Sequence, residues 1–175
     1  MNFGNFTSAL AVTVLMTTGA WAGEQYVDKT GYAASGYDVV SFFSLGQKAV
    51  GTVQHTAIKG HTDFVTTHNG SKWAFSSIRN LLAFKANPDK FTPAYDGHCA
   101  YGVSKGGKVP GNPNLWRIVD NQLYFNITKN VVGFWEEDIP GNISLANGNW
   151  PGIEPSGSSK SKIPQFAGSN APNGG

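Results

Sequence analysis

Two pairs of short β-type runs alternate apolar with polar residues: Phe64–His68 with Lys72–Phe75, and Trp116–Val119 with Leu123–Asn126. Asn69-Gly70 joins the first pair, and Asn-Gly between strand-like runs is the strongest short-range signal for a hairpin. Residues 120–122 join the second pair in the same way. The run Val50–Ile58 is rich in β-branched residues and predicts one more strand. The pattern therefore predicts a small antiparallel sheet.

After the first hairpin the apolar residues Ile78, Leu81 and Leu82 recur at helical spacing, and Ser76 or Ser77 can cap that helix. Asn87-Pro88 ends it, because the residue before proline disfavours the helical conformation. Further helical segments are predicted at 98–103, at 129–138 and from Pro140 to Trp150. The fold class predicted is α+β: a small antiparallel sheet of hairpins packed with helices, in a single domain.

Both ends of the chain differ in composition from its middle. Residues 1–22 carry no charged side chain, and the apolar run Ala9–Thr18 is followed by Ala20-Trp-Ala22, which is typical of a signal-peptidase site. Residues 155–175 are rich in Ser, Gly, Pro and Asn and predict a disordered tail. We therefore expect a signal peptide at 1–22, a domain at 23–154, and a mature chain in the periplasm or secreted, with no membrane span.

Composition narrows the function classes. The thirteen Lys and Arg residues are scattered and the net charge is only +2, so the basic patch expected of a nucleic-acid partner is missing from the sequence. The sequence also lacks a phosphate loop, a dinucleotide-binding glycine motif, a zinc-protease motif and a serine-hydrolase motif. These observations favour a binding protein without catalytic activity.

The one cysteine of the chain, Cys99, follows His98 directly in a segment broken by Pro and Gly. A lone cysteine cannot form an internal disulfide, so Cys99 is a buried small side chain, a metal ligand, a reactive thiol or an intermolecular link. The other three histidines, at positions 55, 61 and 68, lie at wide intervals and are interpreted as solvated or hydrogen-bonded rather than as a ligand set. The aspartates at positions 38, 63, 89 and 96 are interpreted as turn and cap residues.

Four ordered blocks resemble the YHS domain family, in its exported bacterial branch. They run over 36–43 (GYDVVSFF), 70–77 (GSKWAFSS), 84–91 (FKANPDKF) and 93–101 (PAYDGHCAY). The resemblance covers about Gly36 to Gly107, and Trp116–Trp150 looks like the C-terminal helical extension of this branch.

The resemblance implies an association with metals. Related domains carry cysteines where this chain has Ser41, Ser76 and Asn80, and hydroxyl and amide groups are poor ligands for soft metals. Cys99 and His98 are left as the candidate metal ligands, with copper as the first candidate ion, since a thiolate and an imidazole suit Cu(I). The alternative is a structural or protein-interaction module with a buried Cys99 and no metal. A thiol enzyme or peroxide sensor is a third hypothesis, and it needs a lowered Cys99 pKa.

Overall fold

A computed structural model describes residues 23–159 of the chain. The predicted signal peptide, and residues 160–175 of the predicted tail, lie outside the described residues. Within 23–159 the chain forms one α+β domain with four strands and five α-helices. In chain order these are β1 (His61–His68), β2 (Ser71–Phe75), α1 (Ile78–Ala86), α2 (Pro88–Phe91), α3 (Ala100–Ser104), β3 (Asn112–Val119), β4 (Gln122–Asn126), α4 (Lys129–Glu136) and α5 (Ile139–Ile153).

The first predicted hairpin is confirmed as the antiparallel pair β1 and β2, in which Thr66 lies opposite Trp73. Asn69 and Gly70 form its turn with positive φ angles of 46° and 71°. Positive φ at both central residues matches the right-handed twist of the flanking strands, and Asn and Gly tolerate it well. The turn therefore places Trp73 and Phe75 on the buried face of β2.

The second hairpin is also confirmed, as the antiparallel pair β3 and β4 with Asp120 and Asn121 in the turn. The two hairpins form two separate two-stranded sheets, whereas the sequence predicted one sheet. The reason lies at the second edge of β4, where Phe125 bridges in parallel to Cys99. The chain around Cys99 occupies an edge that a third long strand would need.

The predicted strand at Val50–Ile58 is wrong. These residues form turns and irregular extended backbone, and the nearest bridge joins Lys59 to Tyr37. Side chains stabilise the segment instead: Asn114 accepts a hydrogen bond from the amide of Ala57, and the Trp116 indole donates to the carbonyl of His55. β-branched residues favour a strand only when a neighbouring strand supplies the ladder.

Helix α1 is capped by Ser77, whose hydroxyl accepts from the amide of Asn80, as the sequence predicted. Its buried face is only partly the predicted one, since Leu81 packs against the core as predicted. Ile78 and Leu82 are more than half exposed, whereas Phe84 is buried against the first hairpin. Phe84 follows Leu81 by three residues, so these two side chains lie on the same face of the helix, and that face packs.

Two aromatic clusters make the core. The first connects both hairpins with the 3₁₀ turn at Ser41–Ser44, and the second packs α3, β4, α4 and α5 around Trp135. Residues 155–159, the start of the predicted disordered tail, are held against the domain: the Ser159 amide donates to Lys108 O (2.7 Å), and Lys108 Nζ donates to Ser156 O (2.9 Å). Among residues 23–159 no helix has both the length and the apolar character needed to cross a bilayer.

Candidate functional site

Cys99 lies at the N-terminus of α3 with its side chain inside the protein, at 0% exposure. The Sγ atom accepts from the amide of Gly102 at 3.4 Å and donates to Asn126 Oδ1 at 3.4 Å. Val109 and Ile127 pack around it. The thiol is thus a helix cap and a core side chain at the same time.

Burial raises the pKa of the Cys99 thiol to about 11, and hydrogen bonds from backbone amides only partly oppose this effect. A thiol with this pKa is about one part in ten thousand thiolate at pH 7. Since the thiolate is the nucleophile and the metal ligand, the environment of Cys99 suppresses both kinds of chemistry.

His98 is buried as well, at 1% exposure, and both of its ring nitrogens have partners. The carbonyl of Tyr95 lies 2.8 Å from Nδ1 and can only accept, so Nδ1 carries the proton. Nε2 is then the acceptor for the hydroxyl of Ser158. Burial lowers the pKa of His98 to about 4, so the ring is neutral at physiological pH.

The structure does not bring His98 and Cys99 together as one site. Both residues have extended backbone, with φ and ψ of −79° and 163° at His98 and −65° and 117° at Cys99. Successive side chains of extended backbone point to opposite faces, and the His98 ring accordingly lies beside Tyr26 and Trp150. Within residues 23–159, no three His, Cys, Asp or Glu side chains are grouped so that they could hold a metal ion.

A different polar centre surrounds the carboxylate of Asp38, which is fully buried. Oδ1 accepts from the amides of Val40 (3.0 Å) and Ser41 (3.2 Å). Oδ2 accepts from the amide (2.8 Å) and hydroxyl (2.6 Å) of Ser76 and from Asn80 Nδ2 (2.7 Å). Five neutral donors therefore surround the buried Asp38 carboxyl group, which connects the 3₁₀ turn to the start of α1.

Interpreting Asp38 as a turn residue was correct only for its Oδ1 contacts. The bonds to Ser76 and Asn80 cross 38 and 42 residues, and no local pattern predicts them. The one signal in the sequence was the resemblance, because it singled out Ser41, Ser76 and Asn80, which all contact Asp38: Ser76 and Asn80 bond the carboxylate through their side chains, and Ser41 through its backbone amide. In this chain they supply hydrogen-bond donors to Asp38.

A cleft of about 250 Å³ lies between residues 51–54, strand β3 and helix α4. Its walls are mainly apolar and include Val53, Leu115 and Val132. Val53 itself is 62% exposed at the rim. The sequence pattern does not predict this cleft, because Val53 lies in the segment Val50–Ile58 that is predicted to be a strand.

A buried ion pair fixes one wall of the cleft. Arg117 and Glu136 meet through Nη2 and Oε1 at 2.5 Å, and their side chains are only 5% and 8% exposed. The Arg117 guanidinium also donates to the carbonyls of Lys48 and Ala49, and Glu136 Oε2 accepts from the amide of Gly51. The pair therefore holds the loop that carries Val53 in one position.

No protein-family model, curated protein or solved structure matches the chain.

Proposed function

We propose that the protein is an exported, non-catalytic binding module of the YHS type that binds a protein partner, with Cys99 as a structural thiol. The observation that carries this proposal is the complete burial of the Cys99 sulfur. Its hydrogen bonds to Gly102 and Asn126 give it a role in capping α3. Export is supported by the apolar N-terminal run and by Ala20 and Ala22 at the small-residue positions of a cleavage site.

Copper binding through Cys99 and His98 is the competing function. It would require a thiolate at a site that raises the thiol pKa, and it would require His98 Nε2 to leave the hydroxyl of Ser158. Each step breaks a buried contact, and an unpaired buried polar group costs about 1 to 3 kcal/mol. Catalysis by the thiol meets the same obstacle, because it also begins from the thiolate.

The first prediction concerns the reactivity of Cys99. In the folded, reduced mature protein, a thiol reagent such as DTNB should label Cys99 at least ~100-fold more slowly than in the urea-unfolded chain, since labelling must wait for an opening of the structure. Absorbance at 412 nm follows the reaction. The same protein, titrated with Cu(I) against a competing chelator, should retain as much copper as Cys99→Ser and His98→Ala do. Rapid labelling, together with copper that only the wild type retains, would establish the metal site instead.

The cleft beside α4 is the surface we assign to the partner. Exposed apolar side chains that line a defined cleft are typical of protein interaction sites. Val53 and Val50 are both more than half exposed on a loop held in place by the Arg117–Glu136 pair. A cleft of about 250 Å³ is of a size to receive one apolar side chain of the partner.

The second prediction tests this surface. A photo-crosslinking amino acid placed at Val53 should yield a discrete crosslinked species in cells that export the protein, several-fold more intense than the same residue placed at Ile78. Ile78 is a matched control, because it is an exposed branched apolar residue on α1 that does not line the cleft. Immunoblotting after irradiation measures both yields. Equal crosslinking at the two positions, or no crosslinking at Val53, would reject the cleft as the partner site.

A further inference from the structure

The first described residue of the chain, Gly23, lies against two acidic side chains from distant parts of the sequence. Its backbone nitrogen donates to Glu154 Oε1 at 2.7 Å, across 131 residues. A Cβ atom at position 23 would lie 2.4 Å from Glu154 Cγ and 2.6 Å from Asp96 Oδ2. Real Cβ atoms do not approach other atoms so closely, so a larger residue at position 23 would require the Glu154 and Asp96 side chains to move.

The residues after Gly23 fix this arrangement. The backbone carbonyl of Asp96 accepts from the amide of Tyr26 at 2.8 Å and from Gln25 Nε2 at 2.6 Å. Gln25 is itself buried. Residues 23–26 are thus anchored on the turn that carries Asp96, and the position of the Gly23 nitrogen follows from that anchoring.

The charges around Gly23 are unbalanced in favour of the acids. Asp96 Oδ2 is buried, and no group of residues 23–159 forms a hydrogen bond with it. Burial, together with the negative charge of Glu154, raises the pKa of Asp96 to about 6, while the nearby Lys108 ammonium opposes this rise. The hydrogen bonds of Lys108 go to the backbone carbonyls of Glu154 and Ser156. Within residues 23–159, Lys108 therefore acts on the Asp96 carboxyl group without forming an ion pair with it, and the buried Asp96 Oδ2 lacks a donor.

We propose that Asp96 and Glu154 form a binding site for the α-ammonium group of Gly23, which hydrolysis of the Ala22–Gly23 peptide bond creates. A peptidase supplies the hydrolysis: water adds its hydroxyl to the carbonyl carbon of Ala22 and a proton to the nitrogen of Gly23, and a further proton from solvent gives the ammonium. Ala20 and Ala22 place the expected cleavage at this bond on independent grounds.

The Gly23 ammonium offers more hydrogen-bond donors than the amide of the uncleaved chain, and it adds a positive charge. An amide nitrogen has one donor, and Glu154 Oε1 already uses it. An ammonium has three donors and a positive charge, so it can keep the bond to Glu154 and has two donors left for Asp96 Oδ2, which lies beside the Gly23 backbone. The site then contains two cations, on Gly23 and Lys108, for two carboxylates. Cleavage at this bond thereby stabilises the folded protein. A chain that begins at Gly23 is more stable than one that begins at another residue.

The third prediction compares the mature protein beginning at Gly23 with a protein one residue longer that begins at Ala22. The longer protein carries the same charge, but an amide replaces the ammonium in the site. The Gly23 form should melt about 3 to 6 °C higher at pH 7 and low salt, an effect of the size expected for partly buried charge pairs in a domain of this length. Differential scanning calorimetry measures both transitions.

Matched variants distinguish the stabilising effect of the proposed ammonium site from a general effect of chain length. In Asp96→Asn/Glu154→Gln, the advantage of the Gly23 form should disappear, and Asp28→Asn, an acidic residue near the same terminus, should leave it unchanged. NMR titration of the Gly23 form gives a second readout, because the α-amine pKa should lie above the ordinary value of about 8 and return to it in the double variant. Equal melting temperatures for the two wild-type forms, or an advantage that survives the double variant, would overturn the proposal.

Discussion

Replacing Asp38 by alanine should lower the free energy of unfolding by about 3 to 5 kcal/mol, because the variant leaves buried donors without an acceptor. The Asp38 carboxylate accepts five hydrogen bonds, and its side chain is fully buried. In the variant, the amides of Val40, Ser41 and Ser76 lose their acceptor.

Urea denaturation followed by tryptophan fluorescence measures this loss. Asp63→Ala is the matched control, because the Asp63 side chain is 74% exposed, and a change within about 0.5 kcal/mol is expected there. Asp38→Asn should fall between the two, since its amide keeps one acceptor oxygen but turns an NH₂ group toward donors. A loss below about 1 kcal/mol in Asp38→Ala would show that the turn and α1 are held together by other contacts.

Both hairpins could be predicted because their signals are local. Asn69-Gly70 and Asp120-Asn121 adopt the positive φ angles that their side chains tolerate, whatever the rest of the fold does. The cap of α1 is local in the same sense, since Ser77 bonds an amide three residues away. The residues that form a turn or a helix cap lie within four or five positions of one another, so the sequence shows them directly.

The errors have a common physical origin in contacts between distant residues. Val50–Ile58 has the composition of a strand, but a strand also needs a partner, and Asn114 and Trp116 bind this segment through side chains instead. The buried face of α1 depends on Phe84 reaching the first hairpin, which the spacing of Ile78 and Leu82 does not reveal.

The candidate site shows the same limit. His98 and Cys99 are neighbours in sequence, and this adjacency suggested a shared site, but extended backbone turns their side chains to opposite faces. The polar groups that do meet are far apart in sequence: Asp38 with Asn80, and Gly23 with Glu154. Contacts between segments that are distant in the sequence bring both pairs of groups together.

Trp73→Ala should lower the free energy of unfolding by about 3 to 5 kcal/mol, the usual cost of removing a large buried aromatic side chain. The Trp73 ring packs on Phe84 at a centroid distance of 5.1 Å, and its indole nitrogen donates to the carbonyl of His68 at 3.1 Å. Alanine would leave a cavity between the first hairpin and α1 and would leave the His68 carbonyl without this donor. Urea denaturation followed by circular dichroism measures the loss independently of the missing fluorophore.

Two further variants decide whether the cavity or the hydrogen bond causes the loss. Trp73→Phe keeps most of the ring volume but lacks the indole nitrogen, so it should recover more than half of the lost stability if packing dominates. Lys72→Ala is the control on the same strand, because Lys72 is exposed on the opposite face, and it should change stability by no more than about 0.5 kcal/mol. A loss below about 1 kcal/mol in Trp73→Ala would mean that the hairpin and α1 separate readily in the folded protein. That face of β2 would then be available to a partner, as an alternative binding surface to the cleft beside α4.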